Sequence, residues 1–299
     1  MAAHSISTLT IRDCRIRLMR GGAGAPLVFL HGGGGIGIWL PAMARLAKKF
    51  DVITPEHPGF GESDMPAWLD TVGDLANFYL DFLDQLDLRG VHLVGSSLGG
   101  WIAADLAIRN STRLASVTLI GAAGIHVDGI AQVDTFLTNE EQRIRDLFYD
   151  QELVEAVIAG SQRPELEDAA LKNRMTTAKL SWQPRNHDPH LRKWLHRIKV
   201  PTLLVWGEHD RVFPKDYAFA YQQLIPGAKV VVIPECGHLP HVEKGDIFAA
   251  ELEAFIGAMR IAHEILQFPS HALPARRPRC DRKQRLGLGH VLEPPLRSA

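Results

Sequence analysis

Between Ser7 and Met19 apolar and polar positions alternate, with Ile11, Ile16 and Leu18 among the apolar ones, and the segment is followed by the turn-rich Gly21-Gly22-Ala23-Gly24. That pattern predicts a hairpin. The next run, Pro26-Leu27-Val28-Phe29-Leu30, is short, continuously apolar and stops at His31-Gly32-Gly33-Gly34-Gly35, as a strand buried on both faces does. The same form recurs at Asp51–Pro55, Val91–Gly95, Val117–Gly121, Thr202–Gly207 and Lys229–Pro234. Helical periods lie between most of these runs, as in Leu75, Phe78, Tyr79, Phe82, Leu83 and Leu86, or Phe248, Leu252, Phe255 and Ile256. Strands alternating with helices predict an α/β fold, with a mostly parallel central sheet and helices on both faces.

The rhythm breaks from Ile125 to Trp194, which is helical in pattern, has no convincing β run and is interrupted at Gly160, Pro164, Pro184 and Pro189. An insertion of that length is no ordinary connection. It leaves from a strand end, where open α/β sheets bind ligands, and so reads as an inserted helical cap over the site. The alternative is a packing subdomain that never meets substrate. The expected organisation is a core domain in two parts, 1–124 and 195–265, a helical cap at 125–194, and a tail at 266–299. From Pro269 to Ala299 the tail has five prolines, seven Arg or Lys against two acids, and no periodicity, which predicts a disordered basic extension. It contains no Phe, Tyr or Trp to stack on a base.

Composition changes this picture little. The chain has 299 residues, 46% of them hydrophobic, enough for one sizeable core, and a formal net charge of -1 that favours neither nucleic acid nor an anionic membrane as partner. The three cysteines, Cys14, Cys236 and Cys280, are too scattered for a disulfide framework or a zinc site, which fits a reducing, cytoplasmic setting. The first residues lack a basic segment followed by an apolar one, and no apolar stretch reaches membrane-spanning length, so neither export nor insertion is expected. A homo-oligomer is compatible with the sequence.

The candidate chemistry begins at Gly95-Ser96-Ser97-Leu98-Gly99, a G-x-S-x-G between a strand and a helical run. Glycines there let the chain reverse sharply and hold Ser97 in a strained turn with its hydroxyl presented above the sheet. Ser96 is expected to face a local hydrogen-bond partner. An alcohol is a weak nucleophile at neutral pH and needs a base. Of fourteen histidines, His238 stands on a turn after the Val231–Ile233 run and late in the chain, matching the order Ser, acid, His; His241 reads as structural. The acid that orients the imidazole is expected at Asp210, on the loop after the strand ending at Gly207. Glu208 lies too near the strand end, and Asp216 reads as a helix cap.

Attack on a carbonyl creates an oxyanion. Its hydrogen-bond donors are expected to be the N–H groups of Leu98 and, from the glycine loop, Gly33, with Gly34 the near competitor. No Gly-Lys-Ser/Thr and no G-x-G-x-x-G accompanies the four glycines, which argues against phosphate or nucleotide binding; no cofactor and no metal is expected.

Together LHGGGG (30–35), HPGFGESD (57–64), GSSLGG (95–100), VPTLLVWGEHD (200–210) and ECGHLPHVE (235–243) resemble the α/β-hydrolase superfamily over residues 8–260. The resemblance implies an α/β-hydrolase fold with a cap. The glycine loop, cap and ECGH block look like the meta-cleavage product hydrolases, which cleave a carbon-carbon bond in vinylogous 1,5-diketones from aromatic ring opening. Those enzymes usually carry Asn before the nucleophile and Trp after the histidine, where this chain has Ser96 and Leu239. They hold the substrate carboxylate with a cap arginine, for which Arg174 is the candidate here. Serine carboxylesterases share the remaining blocks. Epoxide hydrolases and haloalkane dehalogenases resemble the chain too, but need a carboxylate where Ser97 stands.

Aromatic and apolar cap residues Phe136, Phe148, Met175, Trp182 and Trp194 are candidates for the pocket wall or the cap's own core. Trp182, Arg174, Gly34 and Leu239 are taken as substrate contacts. The first expectation is a serine hydrolase of hydrophobic carboxylic esters acting through an acyl-enzyme. The alternatives are a carbon-carbon hydrolase of 2-hydroxy-6-oxo-dienoates and a non-enzymatic small-molecule binding protein on the same fold.

Overall fold

A computed structural model describes residues 3–161 and 163–267. Eight strands form the sheet: β1 (His4–Ile11), β2 (Cys14–Gly21), β3 (Ala25–Leu30), β4 (Phe50–Pro55), β5 (Val91–Ser96), β6 (Leu114–Ile120), β7 (Thr202–Gly207) and β8 (Lys229–Ile233). Their order is β1-β2-β4-β3-β5-β6-β7-β8. The hairpin β1–β2 pairs antiparallel, as does β2 with β4, while every pairing from β4 through β8 is parallel.

Helices cover both faces, and the two-residue period of the strands decides which side chain goes where. Leu27, Phe29, Val52, Val94 and Val205 pack with α1 (Pro41–Leu46) and α10 (Gly245–Gln267) through Met43, Phe248 and Leu252. Their neighbours Val28, Leu30, Ile53, Leu93 and Leu204 pack on the other face. There they meet α2 (Val72–Gln85), α3 (Leu98–Arg109) and α8 (Asp216–Leu224) through Phe78, Ile102 and Tyr217. Both beats of each central strand are thus apolar, which is why these runs show no alternation in the sequence. Helix α2 starts where Thr71 and Asp74 form a reciprocal capping box.

Between β6 and β7 the chain inserts α4 (Glu140–Leu147), α5 (Gln151–Ser161), α6 (Pro164–Ser181) and α7 (Leu191–Trp194). The neck of the insertion is tied by Gly124 N–H to Asn186 O (2.9 Å) and Asp188 N–H to Gly124 O (3.0 Å). A short α9 (Pro240–Glu243) precedes α10, which continues past residue 265 to Gln267. Among the described residues, contacts group those up to Arg260 as one unit and those from Ile261 onward as another. The basic segment expected from Pro269 onward lies outside the described residues. Among those described, no helix is long and apolar enough to cross a membrane.

Candidate active site

Ser97 joins β5 to α3 at φ 54°, ψ −114°, a non-glycine conformation that costs on the order of 1–3 kcal/mol. Its surroundings impose it. Ser97 N–H donates to Ile120 O (2.8 Å), and Ser97 O accepts from Trp101 N–H (3.1 Å) and Ala123 N–H (3.1 Å). A Cβ on Gly95 would run into the Gly99 carbonyl, and one on Gly99 into the Leu30 carbonyl, so strand and helix can cross only as glycine. The turn leaves the first N–H groups of α3, including that of Leu98, without intrahelical acceptors.

The two loops beyond β7 and β8 meet at Asp210 and His238, and His238 shares a cavity wall with Ser97. His238 Nδ1 lies 2.8 Å from Asp210 Oδ2, with both residues buried. The other oxygen of Asp210 accepts from Val212 and Phe213 N–H, each at 2.9 Å. One carboxylate oxygen is therefore held by backbone, and the other receives the imidazole Nδ1–H, which makes Nε2 the acceptor nitrogen of the neutral ring. Glu208 faces His209 (3.7 Å) and Lys215 (3.9 Å) instead. Asp216 is the first residue of α8 rather than its cap, a position taken by Lys215. The His238 loop is stitched to the insertion: His238 N–H donates to Leu147 O (2.8 Å), and Glu243 accepts from the N–H groups of Gly237 (2.5 Å), Tyr149 (2.7 Å) and Asp150 (2.6 Å). Glu243 closes the ECGHLPHVE block, but sequence reasoning gave it no role, because a carboxylate that accepts from backbone N–H groups looks the same in a sequence as one at the surface.

A cavity of about 300 Å³ lies between sheet edge and insertion, and its wall brings together Ser97, Leu98, His238, Leu239, Gly33, Gly34 and Arg174. Phe136 joins them, whereas Phe148, Met175 and Trp194 do not. Trp182, expected as a substrate contact, is also off the wall. It is 48% exposed, stacks on the Arg185 guanidinium (3.9 Å to the ring centre) and meets Phe136 edge-on, so its apolar face is spent inside the insertion. Ser96 differs from expectation as well: it is fully buried at the cavity, its hydroxyl has no hydrogen-bond partner, and the nearby Ile120 carbonyl is taken by Ser97 N–H.

Arg174 is partly engaged. It donates to Thr138 O (3.0 Å) and lies 3.9 Å from Glu140, which also pairs with Arg143. Two guanidinium groups against one carboxylate leave this part of the wall net positive. Arg143 was missed because Glu140 and Arg143, one helical turn apart, read as an ordinary surface pair.

The glycine loop rests on a buried chain of hydrogen bonds. His57 N–H donates to His31 Nε2 (3.0 Å), which assigns the His31 proton to Nδ1 and its bond to Gly32 O (2.7 Å). Correspondingly, His57 Nε2 donates to His31 O (2.9 Å) and its Nδ1 accepts from Tyr79 OH (2.5 Å). Gly35 N–H closes the turn on Gly32 O (3.0 Å). Among the described residues, neither Gly33 nor Gly34 N–H has a protein acceptor.

Burial lowers the pKa of four histidines, His31, His57, His92 and His241. His31 is pushed down to about 4 and His57 well below the ordinary 6.5; in the sheet His92 is lowered to about 4, and behind the site His241 to about 3. A histidine whose pKa falls on folding takes up a proton on unfolding at every pH between the two values. Stability is therefore expected to decline as pH drops from about 6.5 toward 4, by about 1.4 kcal/mol per pH unit for each such histidine, and to level off below the folded values. Urea unfolding at pH 7.5, 6.0, 5.0 and 4.5 measures this; a flat profile would contradict it.

The chain belongs to the alpha/beta hydrolase family, whose model matches residues 27–251. It is 30% identical over 268 residues to the dihydrolipoyllysine-residue acetyltransferase component of the acetoin cleaving system of Cupriavidus necator, covering 86% of this chain and 70% of that protein. The Pseudomonas putida counterpart is 31% identical over 248 residues, covering 79% of this chain and 64% of its own length. To the 2-hydroxy-6-oxo-6-phenylhexa-2,4-dienoate hydrolase of Burkholderia cepacia it is 30% identical over 270 residues, covering 82% of this chain and 92% of the relative. Other similar proteins divide between dienoate or meta-cleavage product hydrolases, the larger group, and lipases or esterases.

Proposed function

We propose that this chain is a serine-dependent carbon-carbon bond hydrolase acting on carboxylate-bearing conjugated diketones of the 2-hydroxy-6-oxo-dienoate type. The observation that carries this reading is the net-positive Glu140, Arg143 and Arg174 group on the wall of the cavity that also holds Ser97 and His238. A neutral ester gives such a wall nothing to bind, whereas a substrate carboxylate gains charge-assisted hydrogen bonds there. The many dienoate hydrolases among the relatives support the same choice over a simple esterase.

In this reading His238 Nε2 takes the proton of Ser97 as Oγ attacks the ketone next to the bond to be broken. The oxyanion is held by the N–H groups of Leu98 and Gly33, with that of Gly34 as a further donor from the same loop. Carbon is a poor leaving group unless its electron pair is delocalised. In the ketonised substrate, the pair released by carbon-carbon cleavage runs through the conjugated double bond onto the remote 2-oxo oxygen. His238 returns its proton to that dienolate, and Ser97 keeps the acyl group. Water deprotonated by His238 then attacks the acyl-enzyme, the bond from the acyl carbon to Oγ breaks as His238 returns the proton to Oγ, and the acid is released with Ser97 restored. Asp210 stabilises the imidazolium in both halves.

Ester hydrolysis is the second reading. Ser96 and Leu239 replace the Asn and Trp usual in the carbon-carbon hydrolases, and Phe29, Ile36, Leu40 and Val242 make part of the wall apolar. Comparing kcat/KM for a 2-hydroxy-6-oxo-dienoate with that for a p-nitrophenyl acyl ester separates the two. The dienoate is expected to be preferred. Arg174→Ala should lower kcat/KM about tenfold on the dienoate, the worth of one charge-assisted hydrogen bond, and leave the neutral ester nearly unchanged. Preference for the ester, with no effect of the arginine on either substrate, would overturn the first reading in favour of the second.

A further inference from the structure

We infer that Thr177, on the inserted helix α6, is a positioning residue for the glycine loop, so that the insertion sets the direction of the Gly34 N–H, which joins those of Leu98 and Gly33 as a donor to the oxyanion. The inference rests on the reading of Ser97 as nucleophile and adds a residue to it.

One face of α6 is hydrogen-bonded to two core loops. Thr177 Oγ1 donates to Gly33 O (2.9 Å) and Asn173 Nδ2 donates to Gly34 O (2.9 Å), while Asn173 Oδ1 accepts from Gly61 N–H (2.8 Å). Thr176 Oγ1 reaches Gly59 O (2.6 Å), and Lys172 Nζ reaches Gly61 O (2.9 Å) and Ser63 O (2.6 Å). The fit is tight enough to explain two of the four consecutive glycines. A Cβ on Gly33 would lie 2.8 Å from Thr177 Cγ2, and one on Gly35 would run into the Asn173 amide, whereas Gly34 has open space. Gly33 is therefore small because α6 approaches it, Gly35 both for that reason and for its φ of 81°, and Gly34 alone among the three faces no neighbour.

A peptide unit is planar and trans, so the Gly33 carbonyl and the Gly34 N–H point in opposite directions within one plane. Fixing one fixes the other. A run of glycines resists rotation of such a plane less than any other sequence, because both flanking residues accept either sign of φ. On the core side Gly32 O is tied to His31 Nδ1 and Gly35 N–H; on the insertion side Thr177 and Asn173 tie the next two carbonyls. The two N–H groups without protein acceptors, Gly33 and Gly34, thus lie between anchored carbonyls on the wall shared with Ser97. Donors aimed before the reaction begins are worth far more than donors that must reorient.

The test compares Thr177→Val, which keeps the shape and removes the hydroxyl, with Thr177→Ser, which restores it; Thr177→Ala substitutes for the valine variant should that fail to fold. Complete loss of an oxyanion donor costs about 10²–10³ in kcat, so a misaligned one should cost about tenfold or more, with KM changed less than about twofold. Thr177→Ser should recover most of the loss. A trifluoromethyl ketone, which forms a hemiketal oxyanion, should lose affinity in parallel with kcat, while the product carboxylic acid should not. Undiminished kcat in Thr177→Val, or equal losses for analogue and product, would overturn the inference. Ser97→Ala assayed alongside separates the two failures: if it is inactive, a null result in Thr177→Val refutes the positioning role alone, and if it turns over, the nucleophile reading falls and the inference with it.

Discussion

Ser97→Ala is expected to lower kcat by about six orders of magnitude, the scale on which removal of a serine nucleophile acts when the rest of the site survives. The substitution deletes one oxygen from a turn whose φ of 54° is imposed by backbone bonds to Ile120, Trp101 and Ala123, none of which involves the side chain. Alanine is as strained there as serine, so thermal unfolding should shift little. Substrate affinity should also persist, because Arg174 and the glycine loop are untouched. A variant that loses less than about a hundredfold would place the nucleophile elsewhere.

Asp210→Asn should cost about 10⁴ in kcat at nearly constant KM, and the hydrogen bonds around the carboxylate say why. Val212 and Phe213 N–H groups both donate to Oδ1. An asparagine must keep its carbonyl oxygen toward those two donors, which turns its NH₂ toward His238. The Nδ1 atom, 2.8 Å from the present carboxylate oxygen, would then have to accept rather than donate, and the ring proton would move to Nε2. Such an imidazole cannot take the proton of Ser97. The pair is buried, so water offers no substitute acceptor. Steady-state kinetics of the variant measure the effect, and loss below about tenfold would contradict the role given to Asp210.

The sheet was legible because its information is local. The apolar runs ending at Leu30, Pro55, Gly95, Gly121, Gly207 and Pro234 match β3 to β8 to within a few residues, since both beats of a doubly covered strand must be apolar. The elbow was legible for a similar reason: Gly95 and Gly99 are demanded by a crossing only four residues long. What escaped were contacts between the insertion and the core. Four glycines announce a close approach without saying to what, and the approach of Gly33 and Gly35 is to α6. Trp182 shows the same limit. A tryptophan in a cap can face ligand or its own domain, and the cation beside it, Arg185, decided the matter through a contact that only the folded chain reveals. Glu243 and Arg143 were hidden because bonds to backbone and pairs one turn apart look the same in a sequence whether they hold a site or a surface.

Active-site titration with a fluorophosphonate bears most directly on whether Ser97 Oγ, activated by the imidazole of His238, is the reacting atom. Intact-protein and peptide mass spectrometry should find one phosphonyl group per chain, on the peptide containing Ser97, formed slowly in His238→Ala and absent from Ser97→Ala. A label on any other residue, or continued turnover by a chain whose Ser97 is fully modified, would contradict the account.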